Sequence, residues 1–130
     1  MNNTKNIKVC HITTVHPAKD VRILIKECAS LSKAGFDVTL IVVGEESEFI
    51  FDGVKVIGLD KKYRTRFSRL INAPGLAYCE AIKIKAEIYH FHDPEFLRYA
   101  KKLARKKKIV IYDVHEDLPR QILAKYYIPK

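Results

Sequence analysis

Short apolar runs recur along the chain, and most are followed by a segment whose apolar positions repeat at helical spacing. The runs predict strands at residues 7–12, 38–43, 53–59, 87–91 and 109–114. Residues 38–43 are apolar without a break, which is typical of a strand covered on both faces. Lys55 and Gly58 interrupt the third run, which indicates an edge strand.

The segments between these runs predict helices with recognisable ends. Asp20 is suited to cap a helix over residues 21–34, and Gly35 to end it. Residues 60–86 predict a mostly helical segment that is kinked or divided at Pro74, because proline removes a backbone hydrogen bond.

Two further helix starts follow the fourth and fifth strands. Asp93 before Pro94 is a strong start signal for a helix that runs to about Lys107. Asp117 similarly predicts the start of a last helix, with Pro119 in its first turn.

This alternation predicts an α/β fold of three layers, αβα. We expect a Rossmann-like, doubly wound, mostly parallel five-stranded sheet with strand order 3-2-1-4-5. A length of 130 residues with 48% hydrophobic content suits a single domain over residues 1–130. Ligands of such sheets bind at the carboxyl ends of the strands, where the strand order reverses.

The net charge indicates the kind of partner, and the cysteine spacing argues against two kinds of site. A formal charge of +9 indicates an acidic partner, such as a phosphorylated substrate, an anionic membrane or nucleic acid. Cys10, Cys28 and Cys79 form no Cys-x-x-Cys pair, so we expect buried, reduced thiols rather than a zinc or redox motif. The N-terminus lacks the apolar core of a signal peptide, and no apolar run could span a bilayer.

Candidate chemistry follows three strands. His90 and His92 share one face of the fourth strand, and Asp93 comes next. Such a pair can bind metal, but no third ligand has diagnostic spacing, so we predict no metal site. Asp93 is interpreted first as a helix cap, and His92 as the best candidate for ligand contact.

The other two strand ends add further candidates for the same cleft. His16 and Lys19 lie in the loop after the first strand, and His115 and Glu116 end the fifth. Each is open to a second interpretation as an ordinary solvated or capping residue. No Gly-x-Gly-x-x-Gly follows the first strand and no P-loop is present, which argues against a dinucleotide or nucleoside-triphosphate site.

A basic tract interleaved with apolar residues supports two equal interpretations. It comprises Lys61, Lys62, Arg64, Arg66 and Arg69. An amphipathic segment lying on an anionic membrane has this composition, and so does a solvated helix whose apolar side faces the sheet.

The whole chain resembles the N-terminal half of a family 4 glycosyltransferase, a retaining enzyme of the GT-B type. The resemblance rests on His11-Ile-Thr-Thr-Val-His-Pro, Leu31-Ser-Lys-Ala-Gly-Phe-Asp-Val, Ile88-Tyr-His-Phe-His-Asp-Pro-Glu and Ile111-Tyr-Asp-Val-His-Glu-Asp. It implies two Rossmann-like domains, the first holding the acceptor and the second, absent from these residues, holding the nucleotide-sugar donor.

The resemblance also implies roles. His92 matches the catalytic histidine that faces the acceptor and the reacting sugar, and His16, His115 and Glu116 match the cleft wall, with Lys19, His90 and Asp93 beside them. It implies a hexosyltransferase of surface polysaccharide biosynthesis, cytoplasmic or peripheral on the inner membrane face, with a saccharide or lipid-linked acceptor. We expect no cofactor in this domain, no nucleic acid partner, and no sugar transfer by these residues alone.

Two competing hypotheses remain. One is an α/β domain that binds an acidic partner such as RNA through a basic, aromatic surface. The other is a small metal-dependent hydrolase that uses His90, His92 and His115.

Overall fold

The computed structural model describes residues 7–14, 21–44, 48–59 and 63–113, apart from the side chains of residues 21 and 22. Within these ranges, one mostly parallel sheet is formed by β1 (Lys8–Thr13), β2 (Asp37–Val43), β3 (Glu48–Phe51), β4 (Val54–Leu59), β5 (Ile88–Phe91) and β6 (Ile109–Tyr112). Together with the helices, this sheet confirms the α/β class.

Three helices accompany the sheet in the described ranges. Helix α1 is π-helical over Val21–Cys28 and α-helical over Ala29–Lys33. Helix α2 spans Arg66–Ile84. Helix α3 opens with a 3₁₀ turn over Pro94–Phe96 and continues as Leu97–Arg105.

The strand count and order differ from the prediction. The order is β3-β4-β2-β1-β5-β6, with six strands in place of five. The additional strand β3 pairs antiparallel with β4, so residues 53–59 lie inside the sheet and not at its edge. The turn between them has positive φ at Asp52 (47°) and Gly53 (83°), which is the backbone that joins tight hairpins.

Strand β1 lies at the centre of the sheet and pairs in parallel with both β2 and β5. The chain therefore leaves β1 in one direction and returns to its other side after β4. The carboxyl ends of β1 and β5 lie side by side at this reversal.

Two separate apolar clusters cover opposite faces of the sheet. One joins α1 to alternate residues of β1, β2 and β4, including Val9, Ile23, Leu24, Leu40 and Val56. The other joins α2 and α3 to the opposite face, including Ile12, Ile41, Ala77, Phe91 and Leu103. Successive side chains of a strand point to opposite faces of the sheet. Whether a residue packs against α1 or against α2 and α3 therefore depends on its odd or even position along the strand.

The end of α1 and the middle of α2 bear on two of the helix predictions. Gly35 adopts φ 104° just after α1, and the amide of Phe36 donates to the carbonyl of Leu31, which confirms the predicted stop. Of the two outcomes predicted at Pro74, a kink or a division, the division is wrong, because helix α2 is continuous through this buried proline. Arg98 donates to the carbonyl of Ile71 at 2.8 Å, three residues before the proline.

Candidate functional site: a histidine and carboxylate cluster beneath helix α1

Three histidines stack on one face of the sheet. His11 of β1 is directly opposite His90 of β5 in the strand register, and His92 follows two residues later. Alternation of side chains therefore directs all three rings to the face that α1 covers. The ring centroids are 4.3 Å apart for His11 and His90, 4.8 Å for His90 and His92, and 5.2 Å for His11 and His92.

Two carboxylates complete the cluster from other elements. Asp113 follows β6, and its Oδ2 lies 3.4 Å from Nε2 of His90 and 3.8 Å from Nδ1 of His92. Glu27 extends from the π-helical part of α1, and its Oε1 lies 3.9 Å from Nδ1 of His92. We call His11, Glu27, His90, His92 and Asp113 the histidine cluster.

Burial sets the electrostatics of the histidine cluster. His11 is fully buried, and this burial lowers its pKa to about 3, helped by the nearby charge of His90 and opposed by Asp113. His11 is therefore a neutral ring at physiological pH. The side chain of His92 is 0% exposed, whereas the side chains of Glu27, His90 and Asp113 retain partial access to solvent.

Asp93 has a different role from the predicted one. It stands at the cap position of α3, but its side chain makes no capping hydrogen bond. Its Oδ2 instead accepts from Thr13 Oγ1 at 2.8 Å and from the Thr14 amide at 2.7 Å. Thr14 Oγ1 also donates to Glu95 at 2.9 Å. The predicted helix start at Asp93 and Pro94 is therefore confirmed, but the Asp93 side chain connects the ends of β1 and β5 and does not cap the helix.

The predicted cleft residues divide between described and undescribed parts of the chain. His90, His92 and Asp93 are brought together at the end of β5. His16, Lys19, His115 and Glu116 lie outside the described residues, as do the predicted caps Asp20 and Asp117.

Sequence reasoning missed three members of the histidine cluster: His11, Glu27 and Asp113. The predicted strand order already placed the first and fourth strands side by side, and the register that sets His11 opposite His90 was the signal not used. Asp113 occupies the same parity on the next strand. Glu27 had no such signal, because a single carboxylate beside Lys26 on a helix is most often an ordinary solvated residue.

The basic tract is partly described. Lys61 and Lys62 lie outside the described residues, Arg64 and Arg66 are exposed, and Arg69 is half-buried. Phe67 is 71% exposed, and Leu70 and Ile71 are also exposed at helical spacing. The apolar side of this end of α2 therefore faces solvent and not the sheet. None of the described helices combines the length and apolarity that crossing a bilayer requires.

The cysteines fall into two groups. Cys10 and Cys28 are buried, and burial raises the pKa of both thiols far above the usual value. Cys79 is exposed on α2, which corrects the expectation that all three thiols are buried.

Comparison with known proteins identifies no relative: no family model, curated protein or solved structure matches the chain.

Proposed function

We propose that this chain is the acceptor-side, Rossmann-like domain of a retaining glycosyltransferase of the GT-B type. The proposal joins the sequence resemblance to one structural observation. The carboxyl ends of β1 and β5 lie side by side where the strand order reverses. Open parallel sheets bind their ligands at this position.

The polar groups at this edge are suited to a saccharide. Asp93 holds Thr13 and Thr14 in place, and Thr14 in turn contacts the partly buried carboxylate of Glu95. Hydroxyl-rich ligands need acceptors and donors whose positions are fixed beforehand. In this proposal, partly exposed Glu95 contributes to the acceptor wall, and buried Thr14 and Asp93 position it.

The resemblance assigns His92 to the reacting sugar, and the geometry favours another role. The ring is buried, with Nε2 3.0 Å from His11 and Nδ1 facing Glu27 and Asp113. We therefore propose that His92 supports the cleft from below and that other groups contact the sugar. Retaining transfer passes through an oxocarbenium-like centre and needs cations near the leaving diphosphate, which the donor-side domain would supply in part.

We further propose that the first turns of α2 rest on an anionic membrane at the cytoplasmic face. Phe67, Leu70 and Ile71 are exposed beside Arg64 and Arg66. Each cation near such a surface contributes about 1 kcal/mol, and apolar side chains add insertion. A lipid-linked acceptor would then lie close to the cleft.

The activity is tested with the full-length gene product, labelled nucleotide-hexoses, and free or lipid-linked saccharides. We expect transfer with retention of the anomeric configuration, read by NMR of the product. The chain of residues 1–130 alone should transfer nothing but should bind acceptor in saturation-transfer NMR. Glu95→Gln should weaken this binding, and Glu80→Gln on α2 is the matched control.

Two outcomes would contradict the proposal. One is transfer by residues 1–130 alone, which would remove the need for a donor-side domain. The other is the absence of transfer from every nucleotide-hexose by the full-length product, together with no saccharide binding.

A further inference from the structure

We propose that Glu27, His90, His92 and Asp113 bind a divalent transition-metal ion of the zinc type, with His11 orienting His92 from behind. The site would join α1 to the ends of β5 and β6. It is independent of the proposed glycosyltransferase activity, and its tests use no sugar transfer.

The spacing of the donor atoms fits a four-coordinate ion. One nitrogen or oxygen from each of the four side chains lies within 4.8 Å of all the others. Three of the pairs are separated by 3.4, 3.8 and 3.9 Å. Tetrahedral zinc, with bonds of about 2.0–2.2 Å, holds its donors roughly 3.3–3.6 Å apart. Shifts of up to about 0.7 Å in each side chain would bring all four donor atoms to this spacing.

The donor chemistry selects among metals. Two imidazoles and two carboxylates match the ligand types that zinc takes in proteins. Calcium and magnesium prefer oxygen-only sets, and the cluster contains no thiolate for Cu(I). Two carboxylates that converge on the same imidazole also repel each other in a largely buried place, which a divalent cation would offset.

His11 completes the arrangement in the way that metal-bound histidines require. Nδ1 of His11 lies 3.0 Å from Nε2 of His92. If Nδ1 of His92 binds the ion, its Nε2 carries the proton and donates a hydrogen bond to Nδ1 of neutral His11. Outer partners of this kind fix the tautomer and direction of a ligand ring.

A route for the ion is visible. A cavity of about 410 Å³ opens beside the cluster, and His11, Glu27 and His90 lie in its wall among apolar side chains such as Leu31 and Ile111. An entry path is one of the features expected of a working metal site. With four protein ligands and an apolar surround, the site would be structural and closed, not a hydrolytic centre.

The first experiment measures binding to the chain of residues 1–130, prepared without a histidine tag and stripped of metal. Calorimetric titration with Zn²⁺ should give one ion per chain with a micromolar or tighter Kd. At a hundredfold excess of Zn²⁺ over Kd, the Tm should rise by roughly 10 °C. Mg²⁺ and Ca²⁺ should give no comparable rise.

Shape-conserving variants locate the ion. Glu27→Gln and Asp113→Asn should each weaken Zn²⁺ binding by roughly a hundredfold, and His11→Phe by about tenfold. Glu80→Gln, at a half-buried position on α2, and Asp37→Asn, at an exposed position at the start of β2, are the matched controls and should bind as the wild type does. Circular dichroism of each metal-free variant separates loss of binding from loss of folding.

Spectroscopy of the wild-type chain gives a second readout that needs no variant. X-ray absorption of the zinc-loaded chain should show four nitrogen or oxygen neighbours, two of them imidazole, and Co²⁺ should give the visible bands of tetrahedral coordination. The proposal is overturned by any of three results: no Zn²⁺-dependent rise in Tm, an undiminished affinity in both Glu27→Gln and Asp113→Asn, or a six-coordinate, water-rich spectrum.

Discussion

Nδ1 of His11 and Nε2 of His92 lie 3.0 Å apart between two fully buried rings. A hydrogen bond between imidazoles requires one nitrogen to carry a proton and the other to present a lone pair. The low pKa of His11 keeps this ring neutral, which leaves its Nδ1 able to accept. The pair therefore acts as a fixed donor and acceptor near neutral pH.

This burial predicts acid sensitivity. The pKa of His11 is about 3 in the fold and near 6.5 when unfolded. Between these two pH values the unfolded chain therefore binds more protons than the folded chain. The contribution of His11 to the free energy of unfolding is complete above pH 6.5 and decreases as the pH is lowered toward 3. His11 alone should contribute a slope of about 1.4 kcal/mol per pH unit.

Urea unfolding of the metal-free chain at several pH values measures this slope. His11→Phe keeps an aromatic ring in the stack and removes the titrating group, so its slope between pH 4 and 6 should be shallower by roughly that amount. An unchanged slope would show that His11 does not titrate as the buried ring should.

Asp93 is expected to be a major source of stability at the β1 and β5 ends. Asp93→Asn replaces a charged acceptor of two short hydrogen bonds, so the free energy of unfolding should fall by about 2 kcal/mol or more. Glu95→Gln, which changes one partly exposed hydrogen bond, should cost less than about 1 kcal/mol. Equal losses in the two variants would refute this ranking.

Tyr89 connects the end of α2 to the start of β5. Its hydroxyl donates to the carbonyl of Ala81 at 3.3 Å and accepts from the amide of Ala86 at 3.2 Å. Tyr89→Phe leaves both buried groups without this partner, so we expect a loss of about 1–3 kcal/mol in chemical denaturation. Tyr99→Phe, at a half-buried position, is the comparison and should lose less.

Thiol reactivity should separate the cysteines. Native protein should react with a maleimide or a disulfide reagent at exposed Cys79 alone, because burial keeps the Cys10 and Cys28 thiols protonated and inaccessible. Denatured protein should react at all three. Cys79→Ser should abolish the native reaction, and rapid native modification of Cys10 would contradict the described core.

Membrane association is tested by sedimentation with anionic and neutral vesicles. Arg64→Ser with Arg66→Ser should weaken binding to anionic vesicles, and high salt should do the same. The matched control changes two exposed cations, Lys101 of α3 and Lys106 just after it, to Ser. Two results would indicate that this end of α2 is an ordinary solvated surface: equal binding of the protein to anionic and neutral vesicles, or an equal loss of binding in the two double variants.

The sequence pattern was sufficient for the strands that carry long apolar runs, because burial on both faces leaves a continuous signal. It was insufficient for β3, where Glu48–Phe51 is short and alternates between exposed and half-buried positions. The Asp52-Gly53 turn was the available signal, since this dipeptide favours the backbone of a tight hairpin.

The candidate site shows the same division. Parity placed His90 and His92 on one face, and the predicted order placed the first and fifth strands beside them, but the pattern does not give the register or the helix contacts that complete the cluster. Asp93 looked locally like a helix cap and makes its bonds to Thr13 and Thr14, 80 and 79 positions away. Glu27 joins the cluster through a π-helical segment, and helical periodicity does not indicate where such a widening occurs.

The central position of β1 has a consequence for the order of folding. Its partner β2 is close along the chain, whereas the contact between Thr13 and Asp93 closes a loop of 80 residues. Closing a long loop costs conformational entropy before the contact between its ends can stabilise the fold. We therefore expect β1, α1 and β2 to assemble first and β5 and β6 to join afterwards. His90, His92 and Asp113 would reach His11 and Glu27 only in that late step. The histidine cluster would thus form last, when the rest of the domain is nearly complete. During refolding, the amides of β5 should be the last to become protected from hydrogen exchange.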